Sequence, residues 1–195
     1  MIFQSCESYP VQSKPAAHLR AVMVGHLRSE KSPETLFAAA KLLNQDDGIF
    51  IDHIGAGLDA KLAKAAQTLM AAKPHYRWLG GQSHGVARRA MARAHVLIVA
   101  SQMEGGAHVV MEAVRSGTPV LASSVDGNIG MLGADYAGYF DWNDAAGLVR
   151  LLRECRATQS DANGLLARLG EQCTARAPLF EPMRESTKLM ALIRA

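Results

Sequence analysis

The sequence predicts an α/β fold: a Rossmann-like parallel β-sheet sandwiched by helices. Three observations carry that prediction. Short apolar runs alternate with segments of helical period along most of the chain. The runs are apolar at consecutive rather than alternate positions, which is the pattern of strands covered on both faces. The first three runs close in glycine, where a strand would turn into the next helix.

The elements follow in order. Residues 1–18 hold a short apolar start, Ile2 and Phe3, then a polar stretch with Pro10 and Pro15, and read as a linker or edge element. AVMVG (21–25) is the first buried strand. Ser32-Pro33-Glu34 supplies an N-cap, a proline at the first helical position and a dipole-favourable acid, and LFAAAKLL continues the helix. IFIDHIG (49–55) is the second strand and LDAKLAKAAQTLMAA (58–72) its helix. YRWLG (76–80), the helix HGVARRAMARA (84–94) and the strand VLIVAS (96–101) follow. AHVVMEAVRS is the next helix, ended by Gly117-Thr118-Pro119, and VLAS (120–123) is the fifth strand. Gly127, Gly130 and Gly133 suggest a loop before a short strand in YAGYFDWN. The remainder reads as three helices, AAGLVRLLREC, ANGLLARLGEQC and PMRESTKLMALIR.

Composition narrows the function. With 195 residues, the chain has room for one ample core or at most two small domains, and a net charge of +3 fits anionic small molecules but is too weak to argue for nucleic acid. Cys6, Cys155 and Cys173 are odd in number and widely spaced, so neither a disulfide framework nor a zinc site is suggested, and a reducing cytoplasm is expected. No apolar run approaches the roughly 20 residues of a membrane span. His53 and His75 lack a partner at metal spacing, and no Walker lysine motif is present.

In parallel α/β sheets, ligands sit on the loops at the carboxyl ends of the strands. SQMEGGAH (101–108) is such a loop. Gly105 and Gly106 permit close backbone approach, and the helix after them offers free amides and a positive dipole end, an anion site suited to phosphate. Glu112, inside that helix, can accept two hydrogen bonds from a vicinal diol such as a ribose, while Glu104 can reach another hydroxyl-bearing group. One polyhydroxylated anion held at three points accounts for both acids and both glycines. GHLRSEKSP (25–33) brings His26, Arg28 and Lys31 to a second strand end, where they could face the same phosphates. GAGLDA (55–60) fits the dinucleotide fingerprint G-x-G-x-x-A, but the acid wanted about 20 residues on is absent, so Gly55 and Gly57 read as turn residues. Arg88, Arg89 and Arg93 share one helix and read as a solvated face.

E-GGAHVVM-E resembles the E-x7-E motif of retaining glycosyltransferases of the GT-B fold, family 4. VGHLRSEKSP, YRWLGGQ, AHVLIVASQMEGG, GTPVLAS and GYFDWNDAAGLVRLL resemble that family's other segments, in consistent order over about residues 20 to 155. VGHLRSEK, EGGAHVVMEAV and GNIGMLGADYAGYF together look like the branch called selenosugar synthases, which join a UDP-sugar to selenophosphate. The resemblance implies one half of a GT-B fold, the half that binds the donor. Residues 1–18 would be the interdomain connector, 19–178 the Rossmann-like domain that binds a nucleotide sugar, and 179–195 a helix returning toward an N-terminal acceptor-binding domain.

The resemblance also implies roles. Glu112 would hold the ribose hydroxyls and Glu104 would contact the donor sugar. Lys31, and with it Gly25, His26 and Arg28, would face the diphosphate. Gly105, Gly106, Ala107, His108 and Val109 would lie near the sugar or the phosphates, and Leu79–Gly80 would line the base pocket. Glu104 and Lys31 are the residues expected to act in catalysis. Neither metal nor other cofactor is expected, and the partners would be a UDP-sugar and the acceptor domain. Three departures stand out: His26 in place of arginine, Gly106-Ala107 in place of Phe-Gly, and His108 in place of an aliphatic residue. The rival readings are a UDP-sugar 2-epimerase on the same fold, a nucleotide-binding module without catalysis, and an NAD-binding domain resting on GAGLDA. Alone, the chain is expected to bind nucleotide sugar weakly and to turn over nothing.

Overall fold

A computed structural model of the chain describes residues 3–105 and 107–194. Six strands form one parallel sheet: β1 (Leu19–Val24), β2 (Ile49–Ile54), β3 (Tyr76–Trp78), β4 (Val96–Val99), β5 (Val120–Ser123) and β6 (Tyr139–Phe140). The spatial order is β3-β2-β1-β4-β5-β6. The helices are α1 (Pro33–Leu42), α2 (Ala60–Ala72), α3 (His84–Arg93), α4 (His108–Arg115), α5 (Asp126–Leu132), α6 (Ala145–Ala157), α7 (Leu165–Arg176) and α8 (Pro182–Ile193). Every residue of β4 and β5 is buried, which is why VLIV and VLAS carry no polar alternation. The order reverses between β1 and β4, so the loops leaving those two strands open the crevice where doubly wound sheets bind ligands.

Side-chain caps set two of the helix starts. Asp59 accepts from the Lys61 and Leu62 amides at α2, and Asp144 accepts from the Gly147 amide at α6. Ser32 precedes Pro33 as expected but does not cap α1. Its backbone is left-handed at φ 44°, and its hydroxyl accepts from the Trp142 indole at 3.0 Å. The stretch read as a glycine loop is α5 over most of its length: buried Asn128, Met131 and Leu132 tie Asp126–Leu132 to the core, and this packing outweighs the low helix propensity of Gly127 and Gly130.

Residues 3–18 form no strand but are packed. The Phe3 ring meets the fully buried Phe180 edge-on at 5.6 Å, and the Cys6 and Tyr9 amides donate to the Phe180 and Arg115 carbonyls. By contrast α8 buries none of its residues. Among the described residues no helix is long and apolar enough to cross a membrane.

Beneath the crevice lies His53 of β2, fully buried. Its Nε2 faces the Gly25 carbonyl at 3.1 Å, so Nε2 carries the proton and Nδ1 accepts from the Tyr76 hydroxyl, also at 3.1 Å. Burial pushes the imidazolium down to about 4, against the partial support of the Gly25 carbonyl. The loops after β1 and β2 are in close contact here, since a Cβ on Gly55 would overlap the Gly25 carbonyl oxygen.

Candidate functional site: a cleft at the switch point

The loop after β1 and the helix after β4 enclose a cleft of about 380 Å³. Gly25, His26, Arg28, Lys31, His108, Val109 and Glu112 line it, so the structure brings together seven of the residues expected from sequence. The two loops are tied to each other directly. The Gln102 amide donates to the Glu30 carbonyl at 3.1 Å, and Lys31 Nζ donates to Glu104 Oε1 at 2.6 Å. Glu104 therefore stands beside the cleft rather than in its wall. It lines an adjoining cavity of about 330 Å³ with Gln102, Met103, Val125, Asp126 and Gly127.

Glu112 is the buried acid of the cleft, its side chain 5% exposed. Three groups converge on its Oε1: His84 Nε2 in hydrogen-bond contact, His108 Nδ1 at 3.6 Å and Arg88 Nε at 4.0 Å. His108 presents itself one helical turn before Glu112, as the i,i+4 geometry requires. Arg88 is not the solvated residue expected. Its guanidinium lies over the Tyr9 ring at 5.2 Å and donates to the Glu7 carbonyl at 2.7 Å, so the N-terminal segment covers that helix face. Burial, and next the Glu112 carboxylate, push the nearby Cys6 thiol up.

His26 is partly committed. Its Nδ1 accepts from the Ala56 amide at 3.0 Å, which leaves Nε2–H as its donor toward the cleft. Ala107 is the buried residue preceding α4, and no side chain caps that helix, so its first amides stay available to an anion. Gly105 is exposed with open space around it, while Gly106 lies outside the described residues. Leu79 and Gly80 are not in the cleft wall. Leu79 donates its amide to His53, and Gly80, at φ 67°, accepts from the Gly55 amide. Gln82 and His84, on the stretch after β3, take that side of the cleft, together with Ala87 of α3.

GAGLDA follows β2, one strand away from the reversal of strand order. Gly57 packs so closely that a Cβ would crowd Ala63 and the Trp78 ring, and Gly55 packs on Gly25 as described. Packing thus accounts for both glycines without a dinucleotide.

Fold and site together define a Rossmann-like domain with one buried acid, Glu112, and the cations Arg28 and Lys31 around a switch-point cleft. Residues 9–165 match the family described as glycosyl transferases group 1, and the chain belongs to that family. It is similar in fold to sucrose-phosphate synthase from Thermosynechococcus elongatus, with a TM-score of 0.73 at 24% identity over 92% of this chain and 46% of that one. It also resembles a mutant of S. aureus TarM in complex with fondaparinux, alpha-GlcNAc-glycerol and UDP, with a TM-score of 0.70 at 16% identity over 96% and 38%. Anabaena HepE in complex with UDP and glucose gives 0.74 at 14% identity over 92% and 49%. The chain therefore spans less than half the length of each of these structures. No curated protein matches it in sequence.

Proposed function

We propose that this domain binds the donor of a retaining glycosyltransferase, a nucleotide sugar whose base is uracil, and that a second, acceptor-binding domain completes the enzyme. One observation carries the reading. Two strand-end loops far apart in sequence are joined at the switch point by Lys31 and Glu104, beside a cleft that holds Gly25, His26, Arg28 and a buried Glu112. In this reading Glu112 exchanges its histidine contact for the ribose diol. The diphosphate lies against Lys31, Arg28, His26 Nε2–H and the first amides of α4.

Transfer then breaks the bond between the anomeric carbon and the phosphate oxygen as that carbon bonds to the acceptor's nucleophilic atom. The electron pair leaves with the diphosphate, whose charge grows as the bond lengthens. Cations and helix amides fixed beforehand stabilise that charge more in the transition state than in the ground state. These groups supply the neutralisation a metal would otherwise give, so the reaction is proposed to need none. The stretches VGHLRSEK, EGGAHVVMEAV and GNIGMLGADYAGYF favour selenophosphate as the acceptor, and a cytoplasmic setting suits the three free thiols.

Isothermal titration of the domain with UDP, GDP, ADP and NAD tests the reading. UDP is expected to bind best, and Glu112→Ala to weaken it at least tenfold, the loss of a charged acceptor shared by two hydroxyls. NAD binding that ignores Glu112→Ala would reject the proposal.

A further inference from the structure

Glu104 is held from behind by a series of buried hydrogen bonds that involve Ser101, Ser123 and Asn128. Its Oε1 receives Lys31 Nζ at 2.6 Å and the Ser101 hydroxyl at 2.5 Å. Ser101 lies just past the end of β4, where its carbonyl leaves the sheet. That carbonyl accepts from the Ser123 hydroxyl of β5 at 2.6 Å. Asn128 of α5 donates Nδ2 to both the carbonyl and the hydroxyl of Ser123, at 2.9 and 3.2 Å. Ser101 is 1% exposed, and Ser123 and Asn128 are fully buried. A second contact acts on the same loop from the same helix. A Cβ on Gly127 would overlap the Glu104 carbonyl oxygen, so the start of α5 sits directly against the Glu104 backbone.

We infer that Asn128, Ser123 and Ser101 are positioning residues that fix Glu104 for the sugar of the donor, an inference that rests on the donor-binding reading above. The contacts have a direction: the Asn128 amide donates to Ser123, the Ser123 hydroxyl to the Ser101 carbonyl, and the Ser101 hydroxyl to the carboxylate. The Ser123 bond fixes the Ser101 backbone, and Ser101 in turn presents its hydroxyl to Glu104. Two donors on Oε1 also set the plane of the carboxylate, and Oε2 is the oxygen assigned to a sugar hydroxyl. The arrangement separates two tasks. Glu112, on α4, holds the nucleoside, and the series from Asn128 to Ser101 acts on Glu104 from elements other than Lys31's own strand-end loop. A group held to within a fraction of an ångström by neighbours that touch no ligand is how a site keeps its geometry between turnovers.

The inference predicts a split between two affinities. The domain is titrated with UDP and with UDP-glucose and UDP-N-acetylglucosamine, and the tighter-binding sugar nucleotide is compared with UDP. In the native chain the sugar nucleotide is expected to bind at least tenfold more tightly than UDP. In Ser123→Ala that margin is expected to fall at least fivefold, with UDP affinity within twofold of native. A margin that stays intact, or a parallel loss of both affinities, would overturn the inference, because a merely structural role moves both ligands together. If Ser123→Ala does not fold, Ser101→Ala, which removes the direct donor to Glu104, is held to the same criterion. A native domain that binds UDP and the sugar nucleotides equally also overturns it. A native domain that binds neither UDP nor the sugar nucleotides rejects the donor-binding reading itself.

Discussion

Acid should loosen this domain through His53. Its imidazolium is held at about 4 in the fold against 6.5 for the free side chain. A group with a depressed native value binds more protons when unfolded, so folding stability falls as pH drops from about 6.5 to about 4 and levels off below. The two values differ by about 2.5, and at 1.36 kcal/mol for each tenfold step in proton affinity the full loss is about 3 kcal/mol. About 2 kcal/mol of that is gone by pH 5, where the unfolded chain is largely protonated at this site and the native one is not. Urea unfolding at pH 7 and pH 5 measures the difference. The control is His53→Gln, whose amide can still donate to the Gly25 carbonyl and accept from the Tyr76 hydroxyl but does not titrate. The native protein is expected to lose about 2 kcal/mol more than the variant over that interval. His95, also pushed down by burial, titrates in both proteins and cancels in the comparison. Equal losses in the two proteins would refute the account.

Two further outcomes follow from the packing. Gly55→Ala forces a methyl into the Gly25 carbonyl, a backbone group that cannot swing aside, and is expected to cost at least about 3 kcal/mol in chemical unfolding and to weaken UDP binding with it. Asp47→Asn removes an ion pair with the exposed Arg153 at 2.9 Å, and although that guanidinium holds the Asp47 carboxyl below its ordinary value, the cost in the same assay is expected to stay under about 1 kcal/mol.

Much of this architecture is readable from residue order because its signals are local. The β-branched runs at 49–54 and 96–99 need cover on both faces wherever they sit, and the acids at 59 and 144 start helices by bonding amides two or three residues on. Glu104, Glu112 and Lys31 are candidates in the sequence because they lie on, or just after, the loops that leave two strands. What stayed hidden depends on partners distant in the chain. Arg88 looks solvated on its own helix, and residues 7–9, distant in sequence, lie against it. His84 carries a usable signal, its place at the start of the helix after β3, but its contact with Glu112 joins residues 28 apart across two helices. The glycines at 127 and 130 argue for a loop, and the packing that makes α5 a helix comes from elsewhere in the fold. The resemblance assigns Leu79 and Gly80 to the base pocket, whereas Gln82 and His84 line the cleft on that side.

The bond between Lys31 and Glu104 spans 73 residues of chain, and β1 and β4 must already lie side by side before it can form. Closing so long a loop is entropically costly unless the intervening β2 and β3 are docked, so this corner is a non-local contact that depends on the assembled sheet. A ligand that grips it can recognise only finished molecules. Donor would then act as a thermodynamic reporter of completed topology, raising the melting point of chains that have joined the two loops and leaving partly assembled ones untouched.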